Sequence, residues 1–269
     1  MRELALCFLG PWQATFAAES PPDFKYDKVR ALLAYLAVQQ LETSLELRRQ
    51  LGDRRGLVIC LNNLGAAAGR HGDYERSRIY YEEALVLSRE LGNPSYIATL
   101  LANLGDVAEV QGEHRRAHEL FAESLALRRQ MGEKMGIAYS LNRLGHNALH
   151  QGDIRAAYAL QRESLELLCE LGDKEHIVAC LEGIAAIASV DEPDERAPRL
   201  WGATAALREA LGVPAPPSKQ AEHAPFMARG CEGLGQPAWE EQQARGRALS
   251  LAEAIACGLA LCERWETPR

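Results

Sequence analysis

Apolar residues in the first half of the chain fall on a helical stripe. Leu57, Val58, Leu61, Leu64 and Ala68 recur at spacings of three and four, and the stripe stops at Gly72. Asp73 then stands where an N-cap belongs, and Tyr74, Ile79, Tyr81, Ala84, Leu85 and Leu87 carry a second stripe to Gly92. The alternation that a strand needs is missing from this region. Each stripe predicts a helix of about 16 or 17 residues, roughly 25 Å long. The pair of helices recurs every 40 residues without a gap: LETSLELRRQLGD, YEEALVLSRELGN, FAESLALRRQMGE and QRESLELLCELGD align. So do LNNLGAAAGRHGDYERS, LANLGDVAEVQGEHRRA, LNRLGHNALHQGDIRAA and the weaker LEGIAAIASVDEPDERA. Four units from Leu41 to Leu200, each a helix A followed by a helix B, predict an all-α solenoid of stacked hairpins.

Small and large residues recur within this frame. Leu64 and Gly65 lie on helix A, with small Ser77, large Tyr81 and small Ala84 on helix B. Later units give Leu104, Gly105, Ala117, Phe121 and Ser124, then Leu144, Gly145, Ala157 and Ser164. This pattern resembles the tetratricopeptide repeat in its long-helix form, with 40 residues per unit instead of about 34. The resemblance implies a right-handed α-solenoid of tetratricopeptide-like hairpins. Its glycines let helix B approach closely while Tyr81 or Phe121 fills the gap to the next unit. Gln161 and Ala185 depart from the pattern and mark the fourth unit as a divergent end unit.

The chain then divides into residues 1–40 as an N-terminal cap, 41–211 as the four repeats and 212–269 as a C-terminal helical cap. In the cap at the start, Lys28 to Gly52 reads as one long helix B with Ala37, Leu41 and Ser44 on repeat positions. At the other end, residues 193–211 keep a helix B, with Ala197, Trp201 and Thr204 in register. Pro214, Pro216 and Pro217 break it. Helices resume over 219–233, 236–246 and from Leu251, where Ser250 and Glu253 have capping-box spacing. The runs RLWGATAALREALGVPAPP and AWEEQQARGRALSLAEAIACGLA resemble the C-terminus of bacterial transcriptional activators of the LuxR-type and antibiotic-regulatory (SARP) classes. There, a helical-repeat region serves as a sensor or assembly surface. LALCFLGPWQATF and FKYDKVRALLAYLAV resemble the start of the SARP winged-helix domain, which leaves room for a short N-terminal β-hairpin. Gln40 runs directly into the first repeat, so no recognition helix follows.

Composition narrows the function. The 269 residues carry 30 basic and 37 acidic side chains, a formal charge of −7, so no global basic field favours nucleic acid or acidic lipid. DNA binding by this chain is not expected. No apolar run reaches the length of a spanning helix, and no cleavage site follows Met1 to Trp12, which points to the cytoplasm and away from the membrane. Seven scattered cysteines without a CxxC read as reduced thiols.

No nucleotide-binding or nucleophile-elbow motif occurs, so no enzyme activity and no cofactor are expected. Acidic clusters such as Glu82 and Glu83, or Asp191, Glu192 and Asp194, read as solvated charge, and RRQLGDRR and RRQMGEK as exposed helix ends. His114 with His118, and His146 with His150, have i, i+4 ligand spacing, but no third ligand is apparent and no metal is expected. The candidate site is the concave groove of the A helices. Asn63 and Asn103 sit two residues before the glycine, where an amide can both donate to and accept from a peptide backbone. The long-helix resemblance implies that role for these two. Arg143 replaces the amide with a fork suited to carboxylate or phosphate. Asn62, Asn142, Asp106, His146, Thr99, Tyr139 and His150 complete the groove, with Glu182 and Arg70 nearby. The expected partner is a protein or peptide. A small metabolite is the alternative, held in the groove or at the 200–246 junction with Trp201 and Trp239. Self-association through the apolar terminal helices is left open.

Overall fold

A computed structural model describes residues 4–7, 13–16, 27–191 and 193–263. Residues 8–12 and 17–26, Glu192 and the side chain of Ala37, which entered the expectations above, lie outside the described residues. Two short strands, β1 (Leu4–Cys7) and β2 (Gln13–Phe16), pair antiparallel with Leu4 opposite Phe16. Helix α1 (Asp27–Leu51) follows and supplies the single long helix expected over Lys28 to Gly52.

The hairpins come next in strict alternation. The A helices are α2 (Arg54–Arg70), α4 (Pro94–Val110), α6 (Lys134–His150) and α8 (Lys174–Val190). The B helices are α3 (Tyr74–Glu90), α5 (His114–Met131), α7 (Ile154–Leu171) and α9 (Arg196–Leu211). Three more helices follow: α10 (Pro217–Leu234), α11 (Gln236–Gly246) and α12 (Leu251–Glu263). The architecture is an all-α solenoid. Chain punctuation explains its regularity. Glycines at 52, 72, 92, 112, 132, 152 and 172 all have positive φ, which stops a helix every 20 residues without Cβ strain. Asp53, Asp73, Asn93, Asp153 and Asp173 then accept a hydrogen bond from the backbone N–H three residues on and start the next helix.

By internal contacts the chain divides into two compact units, Met1–Leu120 and Phe121–Arg269. In the first, Gly65 is where α3 meets α2: a Cβ there would stand 2.6 Å from Tyr81 Cε1. Ser77 Oγ donates to Gly65 O at 2.8 Å, so the small residue on helix B is also a tie. Ser44 and Cys60 meet at 3.4 Å between α1 and α2, and α1 thus contacts its neighbour as a helix B does. The same spacing brings Ser124 to Ser140 at 3.4 Å in the second unit.

The second unit holds a core of Leu165, Leu168, Leu181, Ile184, Ile187, Leu200, Trp201, Trp239 and Leu261. Gln161 is fully buried, where earlier units have an aromatic ring. Its Oε1 accepts from Asn142 Nδ2 at 3.1 Å, its Nε2 donates to Asn142 O at 3.2 Å, and Cys180 Sγ lies 3.1 Å from Oε1. A Cβ on Gly145 or Gly183 would collide with it, at 2.9 and 2.6 Å. Arg128 corrects the reading of RRQMGEK as an exposed end. It is 8% exposed, lies over Gly136 and donates to Gly136 O at 2.9 Å.

The C-terminal helices close the last apolar face. Helix α12 starts at the expected capping box, Ser250 Oγ accepting from Glu253 N–H at 3.3 Å and Ser250 N–H donating to Glu253 Oε2 at 2.8 Å. A Cβ on Gly258 of α12 would lie 2.7 Å from Leu181 Cδ2. Helices α9 and α11 cross backbone to backbone, since a Cβ on Gly202 would overlap Gln243 O and one on Gly246 would overlap Arg199 O. Arg208 of α9 and Glu182 of α8 form a two-pronged pair at 2.6 and 2.8 Å, with side chains 12% and 7% exposed. Among the described residues, no helix is long and apolar enough to cross a membrane.

These contacts set the expected outcomes of four variants in thermal and urea unfolding. Gly202→Ala meets immovable backbone and costs about 2 kcal/mol or more. Gly69→Ala meets only Ser77 Oγ, at 3.2 Å, and stays within about 1 kcal/mol of the native chain. Glu182→Ala leaves the Arg208 guanidinium without its carboxylate and costs about 3 kcal/mol, whereas the double change Glu182→Leu and Arg208→Met recovers most of it.

Candidate functional site

In the first unit the A helices α2 and α4 present Asn62, Asn63, Thr99, Asn103 and Asp106, all half-buried. Asn103 Nδ2 donates to Asn62 Oδ1 at 2.9 Å, so two groove residues clasp each other across adjacent A helices. Thr99 Oγ1 donates back to Ser95 O in its own helix at 3.0 Å. The Tyr81 hydroxyl is pushed up to about 12, by burial first and by the negative charge of Asp106 second. An amide that already holds its neighbour keeps one acceptor or donor for a guest, and its exposed edge is set in direction by that bond.

In the second unit the A helices α6 and α8 carry the remaining candidates. Tyr139 has the Arg128 guanidinium 5.7 Å from its ring centre, and Arg143 lies 5.7 Å from the ring of Phe121. Asn142 is committed to Gln161. Glu182 is committed to Arg208. His146 needs a correction as an open groove position: it is 4% exposed because α10 covers it. The His146 ring lies 6.3 Å from His223 and 6.5 Å, edge-on, from Phe226. His150, one turn on, is exposed, with its ring 5.7 Å from Phe226. Helix α10 packs mainly on α8 and reaches the A-helix face of α6 with its side chains. Its Gly230 also abuts Ser189 of α8, where an added Cβ would stand 3.0 Å from Ser189 Cβ.

The contact between α6 and α10 includes charged and titratable groups. Glu222 Oε1 lies 3.2 Å from His146 Nδ1, but the pair is not in hydrogen-bond geometry and Nδ1 has no hydrogen-bond partner. Lys219 Nζ holds Glu222 Oε2 at 2.7 Å. Burial drives the His146 imidazole well below its usual value of 6.5, and Lys219, Arg143, His150 and His223 push the same way. Burial also lowers His223, against the pull of Glu182. For Glu222 burial works upward, but the charge and hydrogen bond of Lys219, with Arg143 and His223, outweigh it and hold the carboxyl below its ordinary range. His223 stacks against Trp201, ring centres 4.9 Å apart. Glu222, His223, Phe226 and Lys219 were not among the sequence candidates, since α10 lies outside the 40-residue period that reads the others.

A cleft of about 320 Å³ opens beside this region, lined by Ser189, Asp191, Asp194, Arg229, Gly230 and Trp239. It lies next to the 200–246 junction expected for a metabolite. His114 and His118 lie on α5.

Comparison with known proteins bears on the repeats. The tetratricopeptide repeat family model matches residues 33–90 and 70–130. No curated protein matches the sequence. Among solved structures, BtubC (BKLC) from P. vanneervenii superposes with a TM-score of 0.59 at 17% identity, covering 88% of this chain and 95% of that one. Two structures of nearly identical TPR-like repeats of a kinesin light chain from Podosopora anserina give TM-scores of 0.55 and 0.53 at 14% identity. Each covers 68% of this chain and 90% of its own. At those identities the likeness is one of fold. Repeats of this family generally act as protein-interaction scaffolds. Residues 33–130 thus match the tetratricopeptide repeat model, and the chain shares the fold of these solved structures over most of its length.

Proposed function

We propose that this chain is a non-catalytic scaffold that holds a segment of a partner protein on the A-helix face of α2 and α4, through Asn62, Asn63, Thr99, Asn103 and Asp106. The observation that carries the reading is α10. On α6 the equivalent face is occupied by a helix of the chain itself, with Glu222, His223 and Phe226 resting on His146 and His150. A face that seats an amphipathic helix in one unit offers the same kind of seat in the other. Its half-buried amides bond a backbone without reading its side chains.

The domain plan follows: residues 1–40 as an N-terminal cap, 41–211 as four repeats and 212–269 as a C-terminal cap. The tail that resembles LuxR-type and SARP-type activators spans α9, α11 and α12, which supports a sensor or assembly role in bacterial transcriptional regulation. Contact with DNA is left to other proteins, in keeping with the charge of −7.

Asn62→Ala with Asn103→Ala is expected to abolish retention of the partner in a pull-down from source-cell lysate, while far-UV circular dichroism stays unchanged. Crosslinks from the retained protein should map to α2 and α4. Full retention by the variant places binding elsewhere. The cleft beside Trp239 supports a second reading, a small-molecule sensor, because its volume is within the range of ligand pockets. A thermal-shift screen of nucleotides, sugars and amphipathic metabolites checks it. A hit lost in Arg229→Ala would favour that reading, and no shift from any class would remove it.

A further inference from the structure

We propose that His146, Glu222 and His223 form a binding site for one divalent transition-metal ion of the zinc type, which ties α10 to the A-helix face of α6. One ligand atom from each of the three side chains lies within 4.8 Å of the others. Two ligands about 2.0–2.1 Å from a tetrahedral zinc stand about 3.3 Å apart. His146 Nδ1 and Glu222 Oε1 are 3.2 Å apart, already at that spacing. His223 supplies the third ligand atom, within 4.8 Å of the other two.

Three further observations point to an ion. The first is that His146 Nδ1 is buried without a hydrogen-bond partner, and its close approach to Glu222 Oε1 does not satisfy hydrogen-bond geometry. A buried ring nitrogen left in that state is costly. An ion between the two donor atoms would satisfy both together. The second is the donor set. Two imidazoles and one carboxylate suit zinc, cobalt or nickel, while calcium and magnesium call for oxygen alone. The third is the surroundings of the two imidazoles. The ring of Phe226 stands edge-on 6.5 Å from His146, and the ring of Trp201 lies 4.9 Å from His223.

Lys219 is the opposing group. Its ammonium sits 2.7 Å from Glu222 Oε2 and 3.0 Å from Oε1, and so competes with an ion for the same carboxylate. Arg143 adds positive charge nearby. The site therefore has a built-in competitor, and removing it should tighten metal binding. A purely structural cluster has no such property.

The test uses the full chain stripped of metal and titrated with Zn²⁺ by calorimetry and with Co²⁺ by visible absorption. One equivalent is expected, with the d–d bands of tetrahedral cobalt and slower hydrogen exchange in α10. Glu222→Gln, at a side chain 27% exposed, should weaken binding about tenfold or more without unfolding the chain. Lys219→Met should tighten it. His114→Ala with His118→Ala should leave it unchanged. Absence of a stoichiometric site, equal affinity in Glu222→Gln, or loss of binding in the His114 and His118 variant would each overturn the proposal.

Discussion

A helical hairpin cannot bury its own apolar face, and the whole chain is arranged around that constraint. Within the repeats each face is covered by the next hairpin, and the cover fits only because one side is a glycine and the other a single large side chain. Gly65 and Tyr81 are the plainest instance. At the end of the array no further hairpin follows, yet Leu181, Ile184 and Ile187 on α8 are fully buried. The cover comes from outside the period, from α12 with Gly258 against Leu181, and from α11, whose Gly246 meets α9 at Arg199. The rule that builds the repeats, close approach at a glycine, thus also builds their cap.

The fourth unit shows how a departure from the pattern is compensated. Gln161 replaces a ring with a shorter, polar group, and a buried amide needs both its donor and its acceptor met. Asn142 meets both, and Cys180 adds a third contact. The glycine of helix A has not been lost in that unit. It stands at Gly183 instead of Ala185, two residues earlier, where a Cβ would strike the Gln161 amide. Gln161 and Gly183 are therefore fitted to each other, and Asn142 spends one of its side-chain N–H donors on Gln161.

The fold was legible because its signal is periodic. The stripes from Leu57 to Leu87, the glycines every 20 residues and the capping aspartates all repeat, so every unit tests the reading of the others. In the cap, where repetition is lost, Ser250 with Glu253 still marked the start of α12, whereas α10 starts at Pro217, a residue read as part of the break, two positions before the expected 219. The candidate site was only half legible. Asn62 and Asn103 were placed on one face by register, but their mutual bond depends on how α2 and α4 stack. His146 was read as open because nothing in the period encodes α10. Arg128 was read as solvated because a charge run does not reveal the glycine at 136 over which its side chain lies.

The three C-terminal helices are held in physically different ways, and the difference separates their roles. Helix α11 meets α9 through glycine and backbone, and α12 meets α8 through glycine and leucine, contacts that are lost only with the core itself. The first half of α10 is held otherwise. Its contact with α6 is made by Glu222, His223 and Lys219 around a buried histidine, and Pro225 lies within the same helix. Side chains of that kind carry a desolvation cost that apolar packing does not, and proline removes a backbone hydrogen bond that would otherwise stiffen the helix. The start of α10 is therefore the part of the cap whose attachment depends on solution conditions, through proton, salt or metal ion.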